Sequence, residues 1–240
     1  MTLPLSIRDL SVPGADGPLL TLPALDLPAG ALVGLRGPSG AGKTTFLHAI
    51  AGLRERATGT VLWGDIDLLA CGAEARTRFR ARHIGMIFQD FLLFDELGAL
   101  PNASLTAMFR PRAERRALER RAQGLLDGLG LPRGDRAVAS FSGGERQRVG
   151  IARALAADAP VLLADEPTAS LHRAAAEALI EDLVRLTREA GRTMIAVSHD
   201  EALLARMDRV LTIEGGTLIA DTSPDTGPVT GTGKMTEAGA

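Results

Sequence analysis

ALVGLRGPSGAGKTTFLHAIAGL, residues 31–53, changes character twice within 23 residues. ALVGLR is an apolar run that ends at a glycine, the pattern of a buried strand. GPSGAGKTT, residues 37–45, is a glycine loop, and TTFLHAIAGL then carries apolar residues at helical spacing. The loop matches G-x-x-x-x-G-K-[ST], and the strand before it and helix after it make the match specific. Gly37, Gly40 and Gly42, with Pro38, Ser39 and Ala41 between them, let backbone N–H groups wrap phosphate oxygens. Lys43 reaches the terminal phosphates as a point charge, the Thr44 hydroxyl is placed to bind Mg²⁺, and Thr45 completes the loop.

Working outward, the same alternation continues. The stretch up to Gly30 is rich in Pro, Gly and Leu and reads as short strands and turns (SIRDLSV, LLTLPALDL). TVLWGDIDL returns to strand, residues 72–82 form an arginine-rich helix, and HIGMIFQ is a strand. From residue 90 to about 156 the chain reads as mostly helical, through FLLFDEL, PNASLTAMF and AERRALERRAQGLLDGLG. VLLAD is a buried strand, residues 177–190 an amphipathic helix, and TMIAVSH and RVLTIEGG two more strands. Strands alternating with helices predict an α/β fold with a mostly parallel sheet covered on both faces. Residues 1–220 are expected to form one domain. Residues 221–240 are small and polar without periodicity and are expected to be a disordered tail.

Composition narrows the class. With 240 residues and 45% hydrophobic content the chain can bury a substantial core. A net charge of −2 gives no basic field to recommend nucleic acid as a partner. The single cysteine, Cys71, has no partner pattern and suits a reducing compartment. MTLPLSIRDL lacks the features of a signal peptide, and no run approaches ~18 apolar residues. A soluble, cytoplasmic protein is expected, with any membrane connection made through a partner.

VLLADEPT, residues 161–168, ends an apolar strand in two carboxylates. Their desolvation cost at that place points to a metal or a reaction. Asp165 is expected to hold Mg²⁺ through water, and Glu166 to accept a proton from an attacking water. FSGGERQRVGIARAL, residues 141–155, opens on what reads as a second phosphate-binding element. Ser142, Gly143 and Gly144 open a helical pattern, and a helix N-terminus with a serine hydroxyl suits an anion.

These motifs together resemble the nucleotide-binding subunit of ATP-binding cassette (ABC) transporters, over roughly residues 5–220. FSGGERQRV, with Glu145 after its glycines, is similar to the family signature LSGGQ. Gln89 resembles the family's Q-loop glutamine, a further Mg²⁺ ligand, and His199 its switch histidine, a γ-phosphate sensor. The resemblance implies an ABC cassette fold with an N-terminal antiparallel β-subdomain and a helical lobe at about 90–156. It implies Mg²⁺-dependent ATP hydrolysis and a second cassette, expected as a homodimer. It also implies integral membrane permease subunits and attachment to the inner face of the cell membrane through them. Two cassettes stacked head to tail would place Ser142–Gly144 on the ATP held by the partner's loop, so each phosphate element serves a different ATP.

Residues 88–103 (FQDFLLFDELGALPNA) are unusually apolar, fitting lobe core and a docking groove for a membrane-subunit helix. That stretch, with GPSGAGKTT and RARHIGMIFQDF, looks most like the branch serving lipoprotein release and macrolide-type export. A cell-division ATPase regulating a cell-wall hydrolase, and an importer of small solutes, stay open. A non-transport ABC ATPase would be expected to bring long coiled coils or two cassettes. A P-loop kinase or GTPase would not explain Ser142–Gly144 beside Asp165 and Glu166. Two departures from the family pattern stand out. No aromatic residue precedes Phe46, so the adenine stack expected at Val12 or Pro13 is missing and Val12 offers only apolar contact. His172 stands where the family places an acidic residue. His48 and His83 are assigned to packing or surface, and Arg110, Arg112, Arg115, Arg116, Arg120 and Arg121 to a solvated helix face.

Overall fold

A computed structural model describes residues 2–131, 134–169 and 171–222. Its described strands are β1 (Leu5–Pro13), β2 (Pro18–Leu27), β3 (Leu32–Arg36), β4 (Thr58–Trp63) and β5 (Ile66–Asp67), then β6 (Ile84–Ile87), β7 (Val161–Asp165), β8 (Thr193–Val197), β9 (Arg209–Glu214) and β10 (Thr217–Asp221). They form one curled sheet in the order β5-β4-β1-β2-β10-β9-β3-β8-β7-β6. The run β9-β3-β8-β7-β6 is parallel throughout, as the alternating pattern predicts. β1 pairs antiparallel with both β2 and β4, giving the N-terminal subdomain.

β7 and β8 are buried along their whole length, and β3 along all but its last residue, because both faces are covered. Val33, Leu35, Val161, Leu163, Ile195 and Val197 point to one side. There they join Phe46, Leu47 and Ile50 of helix α1 (Lys43–Ile50). Leu32, Leu162, Ala164, Met194 and Ala196 alternate to the other side. There they meet α5 (Gly143–Ala156) and Leu179, Ile180 and Leu183 of α6 (Arg173–Glu189). Each fully buried Val, Leu, Ile, Met or Phe among them contributes about 1.5–3 kcal/mol. The far end of α1 is fixed by the Trp63 indole, which donates to Ile50 O at 2.8 Å, and by Arg80, which donates to Gly52 O at 3.1 Å. Arg80 belongs to α2 (Ala73–His83), where His83 also packs on Phe79.

The lobe between β6 and β7 contains α3 (Ala99–Ala103), α4 (Arg112–Gly128) and α5. It is less helical than the sequence predicts. Residues 88–98, including FLLFDEL, form an irregular loop with no helix. The apolar run misleads there because buried Asn102 organises it instead. Its amide accepts from Phe94 N and donates to the carbonyls of Phe94, Leu97 and Gly98. On α4 the buried stripe is Leu118, Ala122 and Leu126, and the arginines at 112, 115, 116 and 120 are exposed.

β10 has no counterpart in the sequence reading, being short with no alternation of buried and exposed residues. It is held by the Arg209–Asp221 ion pair and by Thr222 N donating to Val210 O at 3.1 Å, so the ordered chain reaches past residue 220. The rest of the expected tail, residues 223–240, lies outside the described residues.

Two glycines separate close packing from open surface. A Cβ on Gly85 in β6 would lie 2.4 Å from Ala154 O of α5, whereas one on Gly124 in α4 would meet nothing within 4 Å. Gly85→Ala is expected to destabilise the fold by about 1–3 kcal/mol through backbone displacement. Gly124→Ala should stabilise it by about 0.5–1 kcal/mol through helix propensity. Urea unfolding of both variants checks the pair, and equal effects would contradict the packing of β6 on α5.

Candidate functional site

A cleft of about 590 Å³ opens at the carboxyl ends of β3, β7 and β8, within the ~300–1,000 Å³ usual for small-molecule sites. Strand ends in an open parallel sheet are where such folds bind ligands, because the backbone there is freed from the sheet and helices begin. Ser39, Gly40, Ala41, Gly42, Lys43, Thr44 and Thr45 form one wall, and Gln89, Asp165, Glu166, His199 and Asp200 line the others.

The loop geometry depends on absent side chains. Gly37, Gly40 and Gly42 have φ of 148°, 76° and 101°, values that favour glycine. Gly42 is the N-cap of α1, so the helix begins at the loop and its N–H groups face the cleft. Lys43 is nearly buried, its Nζ donating to Gly37 O at 2.7 Å and Pro38 O at 2.9 Å. These carbonyls hold the ammonium at the centre of the loop, where incoming phosphate oxygens can replace them.

Asp165 ends β7 and is buried, and its Oδ1 makes no hydrogen bond. A buried carboxylate oxygen without a partner beside an exposed Thr44 hydroxyl fits a hydrated divalent cation. Glu166 follows with a left-handed φ of 48°, and its N–H donates to Val197 O at 3.0 Å. The strained backbone turns its carboxylate into the cleft, where Oε1 lies 3.4 Å from His199 Nε2. Burial raises the Glu166 pKa above its ordinary value, opposed by His199 and Lys43. A half-buried carboxylate with a raised pKa beside an imidazole can take up a proton from water.

The helix end expected to be a second phosphate element lies away from this cleft. Ser142 caps α5, its Oγ accepting from Glu145 N at 3.3 Å, while the Glu145 carboxylate accepts from Ser142 N at 2.8 Å. This reciprocal capping box leaves the serine O–H to donate outward. Glu145 also pairs with Arg136, whose guanidinium stacks 4.4 Å over Phe141. The Glu145 carboxylate is thus turned back on its own loop, its pKa lowered first by the Ser142 N–H, then by the Ser142 hydroxyl and Arg136. Among the described residues, none of Ser142, Gly143, Gly144 and Glu145 lines the cleft that Lys43 faces.

Both sequence departures acquire a physical form. Val12 is buried in the core opposite Leu20 across the β1–β2 pair, so it cannot offer the apolar contact expected of it. Leu19, 47% exposed, is the β2 side chain that reaches the cleft wall. The alternation of exposed and buried residues along LLTLPALDL is the signal that would have found it. His172 is the N-cap of α6, its Nδ1 accepting from Ala175 N at 3.4 Å. It supplies the acceptor of a cap without an acidic residue's constant charge.

A glycine loop opening a helix at the end of a parallel strand, faced by a strand-end carboxylate, is the arrangement of P-loop nucleotide-binding proteins. Residues 20–169 match the ABC transporter family, and the chain belongs to it. It is 41% identical over 209 residues to the lipoprotein-releasing system ATP-binding protein LolD of Hyphomonas neptunium, covering 85% of this chain and 91% of that one. It is 40% identical to the macrolide export ATP-binding/permease protein MacB of Bradyrhizobium diazoefficiens, covering 84% of this chain and 31% of that one. Among solved structures, the dimeric bacterial ABC transporter cassette MJ0796 superimposes with a TM-score of 0.83 at 30% identity, over 91% of this chain and 98% of that one.

The raised Glu166 pKa gives a signed stability effect. Its ionised form costs the fold; the cost appears in full as pH rises through the folded-state pKa and vanishes below the unfolded one. Glu166→Gln is therefore expected to raise the thermal midpoint at pH 7–8, with the gap closing below about pH 4. A variant no more stable than wild type at pH 8 would contradict the burial cost.

Proposed function

We propose that the chain is the ATP-hydrolysing subunit of a membrane transporter of the lipoprotein-release or macrolide-export kind, working as a head-to-tail homodimer of cassettes. The observation that carries this is the separation of its two phosphate elements. The Lys43 cleft is lined without Ser142–Gly144, so one chain offers two sites that do not converge. A second copy turned head to tail brings the Ser142 hydroxyl and the N-terminus of α5 onto the phosphate in the first copy's cleft. Support comes from a neighbour described as the dimeric structure of a post-hydrolysis state bound to ADP and Pi, with a TM-score of 0.81.

In this reading Lys43 and the backbone N–H groups of residues 37–44 bind the β- and γ-phosphates. Mg²⁺, when bound, supplies charge neutralisation between those phosphates, and Asp165, Thr44 and Gln89 would hold it. Glu166 takes the proton of the attacking water, and His199 contacts the γ-phosphate from the next strand end. Ser142, Gly143 and Gly144 stabilise the γ-phosphate in trans through hydroxyl, backbone N–H and helix dipole. Closure follows ATP binding, because the site is complete only across two chains, and hydrolysis with phosphate release reopens it. Glu166→Gln is expected to keep ATP binding, lose roughly 10²–10⁴-fold in turnover and elute as a dimer with ATP. Near-normal hydrolysis would remove Glu166 from the base role.

The membrane partner is proposed to dock on the lobe. Leu92, Phe94, Leu97, Met108 and Phe109 are all exposed. Large apolar side chains exposed on these segments of the lobe fit contact with an amphipathic helix. A relative whose name joins ATP-binding and permease in one protein supports this partner. Leu97→Asp and Phe109→Asp are expected to leave hydrolysis by the isolated chain unchanged and to abolish co-purification with a multi-span membrane subunit. Undiminished co-purification would place the docking surface elsewhere.

A further inference from the structure

We propose that Arg153 is a positioning residue, holding the loop that presents Gln89 rigidly to the helix that begins with Ser142. The proposal rests on the assignment of Gln89 to the Mg²⁺ site made above. Arg153 is nearly buried in α5, and burial alone lowers its pKa from the ordinary arginine value. Among the described residues it has no carboxylate partner. Its guanidinium donates instead to two backbone carbonyls, those of Phe91 and Leu92. A buried cation without a counter-ion is costly, so its place is explained by what those carbonyls need.

Phe91 and Leu92 are consecutive non-glycine residues in the left-handed region, with φ of 58° and 47°. L-residues with side chains resist that conformation, and two in succession persist only where the surroundings impose it. The bend lies directly on α5, since a Cβ on Gly150 would be 3.7 Å from Phe91 Cβ. Of the two polar side chains that α5 buries, the Gln147 amide makes no hydrogen bond and Arg153 makes both of its bonds to the bend. Gln89 stands two residues before the bend. Arg153 thereby fixes the approach of Gln89 to its own cleft and ties that approach to the helix whose first turn carries Ser142. A displacement of Gln89 in one cleft is passed through a rigid element to the phosphate element offered to the other.

The test uses the full chain with Arg153→Met, which keeps the site apolar and of similar length, and Gln89→Ala. Arg153→Met is expected to bind ATP without Mg²⁺ as tightly as wild type. By calorimetry on the ATP-bound protein it should need roughly 10- to 100-fold more Mg²⁺ for half-saturation, the usual loss when a supporting residue is removed. Amide exchange of residues 91–93 should accelerate while that of β7 and α1 stays the same. Gln89→Ala should show a similar Mg²⁺ shift, with Arg153→Met adding nothing to it. Adding Leu92→Gly to Arg153→Met should recover part of the loss, because glycine takes the left-handed bend without strain. If Gln89→Ala leaves Mg²⁺ binding unchanged, the Gln89 assignment fails. If Gln89→Ala shifts it and Arg153→Met does not, the positioning proposal is overturned. Weaker Mg²⁺-free ATP binding with exchange raised throughout would reduce Arg153 to a general structural role and overturn it as well.

Discussion

Three pieces of bare backbone meet where no side chain fits, and the rest of the molecule is arranged around that contact. A Cβ on Gly37 would lie 1.9 Å from Ile213 O in β9, and Cβ atoms on Gly42 and Gly216 would lie 2.9 Å and 2.7 Å from Leu19 O in β2. Gly216 N donates to Ala41 O at 3.1 Å, and Thr21 N donates to Gly216 O at 2.7 Å. The phosphate loop is therefore clamped between the N-terminal subdomain and the β9–β10 turn. Its N–H groups are aimed before any ligand arrives, which is what makes such a site effective for a highly charged ligand. The same clamp brings Leu19 to the cleft wall and leaves Val12 behind it in the core.

Around that loop the structure tolerates several local costs. Asp165 keeps an unpartnered oxygen in a buried place, Glu166 carries both a left-handed φ and a raised pKa, and Phe91 and Leu92 bend against their preference. All of them stand at or just beyond the carboxyl ends of β6 and β7, whose apolar interiors are packed on both faces. Strain and buried charge persist at functional sites because the surrounding core over-determines the conformation. The signature end of α5 shows the opposite balance. Ser142, Glu145 and Arg136 satisfy one another, so the helix end is firm and its acidic residue is ion-paired.

The central strands and the phosphate loop were legible because each depends on local pattern: continuous apolar runs, glycines at fixed spacing, and Lys43 and Thr44 at the helix start. Asp165 and Glu166 could be read for the same reason, as carboxylates ending a run that otherwise excludes charge. The failures are non-local. FLLFDEL looks helical by composition, and only Asn102, eight residues beyond Phe94, reveals that its backbone is bonded as a loop. β10 is ordered by Arg209 and Val210 across a hairpin rather than by its own sequence. Arg153 sits between Val149 and Ala156 on a buried helix side, an anomaly visible in the sequence, but its partners lie about sixty residues away. Glu145 could be placed in the signature from its motif, while its capping role required the positions of Ser142 and Arg136.

The central claim is that the two phosphate elements of one chain serve different ATPs, and complementation between two inactive chains tests it most directly. One variant carries Lys43→Ala and the other Ser142→Arg, and each is assayed alone and then as a mixture. In a head-to-tail pair the mixed dimer has one composite site holding both lesions and one holding neither. The account predicts that the mixture recovers ATP hydrolysis that neither variant shows alone. A mixture as inactive as its components, with mixed dimers shown to form, would mean that both elements act on the same ATP and would contradict the account.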